Sequence, residues 1–154
     1  MAMLTITAAN VTSSLTATNG IQKIVVQAGE TITGGMPVYK RLSGTGAGQW
    51  FQMQADPVDG VNGGLAEAGV GLDLTTQTGI SLGGGTAGVF FAVQTTGPIT
   101  IGATMTKGAH YYLSATVGRI GDLADLSSGN YIVDFGYATS TTVLQLSVTI
   151  LGTV

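Results

Sequence analysis

Apolar and polar residues alternate with a period of two along most of this chain. The clearest case is the segment 143–151, in which Val143, Leu144, Leu146, Val148, Ile150 and Leu151 follow that period closely. In segment 49–55, Trp50, Gln52 and Gln54 would face one side, and Phe51, Met53 and Ala55 the other. A period of two places successive side chains on opposite faces of a β-strand. The pattern therefore predicts strands.

Short turns rich in glycine separate these strands. The chain has 25 glycines, and glycine adopts the positive φ angles of tight turns without steric cost. The predicted strands are 21–28, 36–42, 49–55, 69–74, 88–95, 110–115, 131–139 and 143–151; Pro37 suits the first position of its strand. Helix candidates are short, at 65–68 and 122–126. We expect an all-β fold with little helix, a compact β-barrel or sandwich, in a single domain over residues 21–154.

The first twenty residues differ from the rest because they are uncharged and rich in Thr, Ser and Ala. Leu4, Ile6 and Ala8 alternate weakly. Two interpretations remain open at this stage. The segment is either an ordinary first strand of the domain or an N-terminal arm that orders by adding a strand to a neighbour's sheet.

Charge is scarce. Only 8% of the residues are Asp, Glu, Lys or Arg, against about 25% in an ordinary soluble domain. Such a surface suits coverage by other proteins. The five basic residues are scattered, so we expect no nucleic-acid partner. The longest apolar run, 89–93, is far shorter than the ~20 residues of a membrane helix, and no secretory signal is evident, so we expect no membrane partner.

Few residues are candidates for a catalytic, metal-binding or cofactor-binding role. The one histidine, His110, is expected to be structural, and the spaced carboxylates Asp56 and Asp59 only faintly suggest a calcium loop. The chain has no cysteine, and its glycine-rich segments 43–48 and 83–86 lack the Lys-Ser/Thr of a phosphate loop. We expect no enzyme, metal or cofactor. Trp50 and Phe51 are either interface aromatics or core residues.

Several short sequence segments, taken in their order along the chain, resemble the small capsid decoration (cement) proteins of tailed bacteriophages. They are GGMPVY (34–39), QAD (54–56), AGVGL (68–72), GVFFAVQTTG (88–97), GAHYYLS (108–114), GNYIV (129–133) and FGYA (135–138). Residues 34–97 also resemble the lambda-type head-decoration proteins, and residues from about 97 onward lie outside that second likeness.

The resemblance implies a β-tulip-like barrel that assembles in the bacterial cytoplasm and binds the outer capsid surface of the virion. It also implies a homotrimer that clamps neighbouring subunits of the major capsid protein. Lambda-type members use an N-terminal segment that orders on the capsid, and residues 1–12 occupy that place here. Leu4, Ile6 and Ala8 are therefore candidate capsid-binding residues. Under this hypothesis, replacing Leu4 and Ile6 by Asp abolishes capsid occupancy while the domain stays folded.

Two alternatives remain. The first is a trimeric tail-fibre or surface module that binds a host glycan or receptor, for which Trp50, Tyr111 and Tyr112 could supply aromatic contacts. The second is a hydrolase on a β-sandwich with Asp56, Asp59 or His110 at its site. No assembled motif in the sequence supports the hydrolase.

Overall fold

The chain folds almost entirely into β-strands. The computed structural model describes residues 3–13, 20–56, 73–74 and 76–154. Over these residues it has ten strands and two single 3₁₀ turns, Ala8–Asn10 and Leu123–Asp125. The strands are β1 Val11–Ser13, β2 Gln22–Gln27, β3 Pro37–Lys40, β4 Trp50–Gln52, β5 Thr78–Ser81, β6 Phe90–Ile101, β7 His110–Leu113, β8 Ile120–Gly121, β9 Tyr131–Ala138 and β10 Val143–Thr153. The all-β prediction is confirmed.

All strand pairings between these elements are antiparallel, and β6 is the strand that joins them. The main path of the sheet runs β4-β3-β5-β6-β10-β9-β7-β8, and β1 and β2 pair with β6 on its other edge.

Pro98 lies within β6 although it has no N–H. The ladder to β10 uses alternate residues, including Ile101, whose N–H donates to the carbonyl of Thr142 (3.0 Å). The missing N–H of Pro98 therefore falls on the opposite edge, between the last partner of β2 (Thr96) and the first of β1 (Ile99).

The sheet curls until its two ends meet. The chain just after β4 bonds to the segments around β7 and β8: Gly118 N–H donates to the carbonyl of Met53 (2.8 Å). Ala55 N–H donates to the carbonyl of Ser114 (2.8 Å), and Tyr131 N–H donates to the carbonyl of Ala55 (2.9 Å). The curled sheet encloses the larger of two hydrophobic clusters, whose members include Tyr39, Phe51, Met53, Ile80, Ile99, Ile101, Tyr111, Leu113, Ile120, Val133, Phe135, Leu144 and Leu146.

A second, smaller cluster lies on the other side of β3, β4 and β6. Beyond β2, Ala28 bridges to Trp50 in parallel, and Gly29 N–H donates to the carbonyl of Trp50 (2.8 Å). This main-chain contact lies along the edge of β4 that does not pair with β3. The enclosed residues are Val26, Ala28, Ile32, Val38, Trp50, Phe91 and Val93. Because side chains alternate across a strand, neighbours such as Val38 and Tyr39 enter different cores.

Most predicted strands correspond to observed ones, with some differences. The strands β5 and β8 were not predicted, and β6 continues past Gly97-Pro98 to Ile101. The predicted short helix at 122–126 is the 3₁₀ turn Leu123–Asp125, capped by Asp122, whose carboxylate accepts from Ala124 N–H (3.1 Å). The predicted helix at 65–68 and residues 69–72 of a predicted strand lie outside the described residues.

Gly136 tests the pairing of β9 with β10. Its φ is 120°, and a Cβ there would overlap the main-chain oxygen of Gln145. We expect Gly136→Ala to lower the free energy of unfolding by about 2–5 kcal/mol, from left-handed strain together with overpacking. Gly108→Ala is the control, because φ is 83° and the space is open; it should cost only about 1–2 kcal/mol. Chemical denaturation compares the two, and equal losses would contradict the close approach.

Candidate interaction surface

The N-terminal segment packs on its own domain over the described residues 3–13. Leu4 is 7% exposed and belongs to the larger core, and its N–H donates to the carbonyl of Ile120 (2.9 Å). Ile6 is half-buried against the same core, whereas Ala8 is exposed. The structure thus corrects the picture of Leu4 as a capsid-facing anchor, because its side chain stabilises the domain itself. Of the three candidates, only Ala8 is fully accessible.

Trp50 and Phe51 are core residues rather than exposed interface aromatics. Trp50 lies in the smaller cluster and Phe51 in the larger one, and both are buried. The guanidinium of Arg41 lies 3.7 Å from the centre of the Phe51 ring, a cation–π contact within the domain. The interface hypothesis for these two side chains is therefore wrong, because adjacent residues of β4 fill the two cores.

Among the described residues, the two most exposed large apolar side chains lie on the outer face of β2 and β6. Val25 is 74% exposed and Phe90 is 67% exposed. Val25 pairs with Ala92, and Gln27 pairs with Phe90, so both exposed side chains lie on one face of this strand pair. The sequence did not single them out, because the apolar runs 24–26 and 89–93 are equally consistent with buried strands.

An open cleft lies beside these residues. It measures about 450 Å³ and runs between β2 and the ends of β3 and β4, with Trp50, Lys40 and Gln77 among its lining residues. Its volume lies within the range of sites that bind small ligands or peptide segments. Because Val25 and Phe90 also line it, the cleft and the exposed apolar face form one continuous surface.

A second exposed cluster, at β7 and β9, brings together His110, Asp134, Tyr112 and Tyr137. Nδ1 of His110 lies 2.6 Å from Oδ2 of Asp134. The His110 ring lies 6.5 Å from that of Tyr112 and 5.8 Å from that of Tyr137, measured between ring centres. Burial, followed by the nearby Asp134 carboxylate, raises the pKa of Tyr112 above its ordinary value, so its phenol remains a hydrogen-bond donor further into alkaline pH.

The His110–Asp134 pair is two thirds of a nucleophilic triad, in which a carboxylate orients the imidazole. Within residues 3–13, 20–56, 73–74 and 76–154, no serine or threonine hydroxyl bonds to the His110 ring. Tyr111, next to it in sequence, is buried, and its hydroxyl accepts from Thr106 N–H (2.8 Å). The pair thus orients a surface imidazole between two aromatic rings.

The remaining carboxylate candidates do not form a metal centre over the described residues. Asp122 caps its 3₁₀ turn, and Asp125 accepts a hydrogen bond from the hydroxyl of Ser114. Asp59 and the rest of the suggested calcium loop after Asp56 lie outside the described residues. The described part of the chain contains no group of three or more His, Asp or Glu side chains placed to hold a metal ion.

Comparison of the chain with protein-family models, with curated proteins and with solved structures gives no match. None of the helices in the described part of the chain has the length and hydrophobicity to cross a membrane. Inference about function therefore depends on the residues and surfaces described above.

The burial of Leu4 gives a direct test of the N-terminal segment. We expect Leu4→Asp to lower the free energy of unfolding by at least about 3 kcal/mol, because it removes core packing and buries a charge. Ala8→Asp, at an exposed position, should change it by less than about 0.5 kcal/mol. Thermal and chemical unfolding measure both variants. A Leu4→Asp protein of normal stability would restore the arm hypothesis.

Proposed function

We propose that this protein is a structural component of a tailed-bacteriophage virion. In this proposal it binds the outer surface of the icosahedral capsid as a homotrimer and stabilises the shell by clamping neighbouring subunits of the major capsid protein. It has no enzymatic activity in this role.

The observation that carries the proposal is the low charge of a folded, accessible domain. Five basic and eight acidic residues serve a chain of 154 residues with 6912 Å² of accessible surface. Burying such a surface against another protein requires the desolvation of few charges, which is the main electrostatic cost of association. The exposed Val25 and Phe90 add apolar area to that surface.

The same proposal is supported by the order of short sequence segments from 34 to 138. That order resembles the order found in decoration proteins. The all-β architecture is consistent with the compact barrel that the resemblance implies. The packing of Leu4 moves the expected contact away from the N-terminal side chains and toward other exposed surfaces.

The stabilisation follows from mass action. A protein that binds the assembled shell but not its separated subunits stabilises it by about 2.7 kcal/mol per site when its free concentration is one hundred times the Kd. A trimer strengthens this effect, because its second and third attachments are intramolecular. Weak contacts at each subunit then suffice.

The test uses heads of the phage that encodes the chain, assembled without the protein. Purified protein added to expanded heads should co-sediment up to a saturating, fixed stoichiometry and should raise the temperature at which the heads release DNA. Light scattering of the isolated protein should give three times its 15.5 kDa mass. Absence of saturable binding would contradict the decoration role, and a monomeric mass would contradict the trimer.

A specific observation favours a second candidate function, the recognition of a glycan. Tyr137 is exposed, the His110 ring lies beside it, and the Asp134 carboxylate is adjacent. Aromatic faces and a carboxylate are groups that can pack on sugar rings and accept their hydroxyl hydrogen bonds. This cluster differs from the one expected from sequence, in which Trp50 and Tyr111 turned out to be buried.

A glycan array tests this second candidate. If it is correct, the wild-type protein binds a defined group of glycans, and Tyr137→Ala reduces that binding at least about tenfold through loss of ring contact. Phe90→Ala, an exposed aromatic on β6, serves as the control and should bind as the wild type does. An array without reproducible signal removes the glycan hypothesis and leaves the decoration proposal unaffected.

A further inference from the structure

The strand β2 pairs along one edge with β6, and no strand of the described residues pairs with its other, open edge. Its partner Ala92 has a carbonyl that accepts from Leu82 N–H (2.9 Å), on the β5 side of β6. In an antiparallel ladder the main-chain groups of opposed residues point either toward each other or both away. Val25, opposite Ala92, therefore directs its N–H and C=O away from β6. Lys23, which is opposite Gln94, likewise directs its N–H and C=O away from β6.

These outward groups have no partner within the described part of the chain. There, β2 pairs with β6 alone, and no hydrogen bond involves the main-chain N–H or C=O of Lys23 or Val25. The contact between Ala28 and Trp50 begins only beyond the end of β2. An open strand edge with an exposed apolar side chain is a template for another strand, and proteins that remain soluble usually protect such edges.

The surroundings of the edge indicate what would bind there. The cleft of about 450 Å³ opens directly beside it, between β2 and the Lys40 end of β3, with Trp50 on its wall. Val25 and Phe90 present apolar side chains on the outer face. Lys40 lines the cleft and Lys23 lies on β2 itself, and neither forms an ion pair with any described residue.

We propose that the open edge of β2 binds an extended segment of the capsid protein by strand addition. The inference rests on the proposed function and names the contact surface. The bound segment pairs its main chain with Lys23 and Val25 and packs apolar side chains on Val25 and Phe90. It places one carboxylate near Lys23 and another near Lys40.

Charge complementarity favours this occupant over a second copy of the chain. If two β2 edges paired antiparallel about Val25, Lys23 of one copy would face Gln27 of the other. The partner's β2 would then present no carboxylate to Lys23, because β2 carries none. A partner segment with Asp or Glu satisfies both lysines.

Proline substitution tests the edge without removing a bond to β6. Val25→Pro deletes an outward N–H, and proline is tolerated at strand edges whose N–H faces solvent. We expect it to weaken binding to expanded heads at least about tenfold, since an incoming strand loses a hydrogen bond and meets the ring. Circular dichroism and thermal unfolding establish that the variant is folded.

Ser128→Pro is the matched control. Ser128 is exposed and is the second residue of a turn closed by the bond from Asn130 N–H to the carbonyl of Ser127 (3.0 Å). Gly129 follows it with φ 92°, and proline is favoured before such a glycine. This variant should bind heads as the wild type does.

Two further measurements keep the test decisive if Val25→Pro folds poorly. The Lys23→Glu, Lys40→Glu double variant should bind heads at least about tenfold more weakly, and Lys23→Gln, Lys40→Gln should lie between it and the wild type. Hydrogen exchange should show a fast amide at Val25 in the free protein that becomes protected when heads are added, while the amide of Val26, paired with β6, is protected in both.

The outcomes separate the two proposals. Wild-type binding that the β2 variants weaken, together with protection of Val25, supports strand addition. Wild-type binding that all β2 variants retain overturns strand addition and leaves the decoration role standing. A wild-type protein that binds no heads overturns both. Protection of Val25 in the isolated protein, with a smaller mass for Val25→Pro in light scattering, assigns the edge to a second copy and overturns the proposed occupant.

Discussion

The fold depends on a part of the sheet, formed by β3 and β4, whose two faces are both apolar. Consecutive residues of β3 and β4, such as Val38 with Tyr39 and Trp50 with Phe51, are buried in pairs. Because alternate side chains of a strand point to opposite faces, both faces of this part of the sheet must be covered. β6 makes this possible, since its twelve residues are long enough to pair with β2 and β5 at one end and with β1 and β10 at the other.

This arrangement explains how a chain with so few charges buries two cores and still exposes the apolar side chains of Val25 and Phe90. The curled sheet covers one face of β3 and β4. The strand β2, which continues to the bridge between Ala28 and Trp50, covers the other face. Among the described residues, this covering leaves the β2 edge at Lys23 and Val25 without a strand partner, because the main-chain bridge to β4 lies at Ala28. The exposed Val25 and Phe90 lie beside that edge. We propose that a partner strand binds at this edge.

The prediction of strands succeeded where apolar and polar residues alternate with a period of two, as in β7, β9 and β10. It failed where the local signal was short or broken. Gly79 interrupts β5, β8 has only two residues, and Gly97-Pro98 suggested an end to β6. These strands exist because neighbouring strands bond to them, and Pro98 is accommodated because its missing N–H falls in a gap between partners. The exposed cluster of His110, Asp134 and Tyr137 was likewise not foreseen, since it forms only when β7 pairs with β9.

The sequence by itself determined the all-β class, the turn positions, the small helical content and the scarcity of charge. These properties follow from local periodicity, glycine conformation and composition, which need no knowledge of distant contacts. Only the tertiary structure decided which apolar side chains are accessible. Leu4, Trp50 and Phe51 are buried, whereas Val25 and Phe90 are exposed, although all five are apolar. That difference arises from which face of each strand is covered, and the covering elements come from parts of the chain far apart in sequence, as β2 and β6 are here.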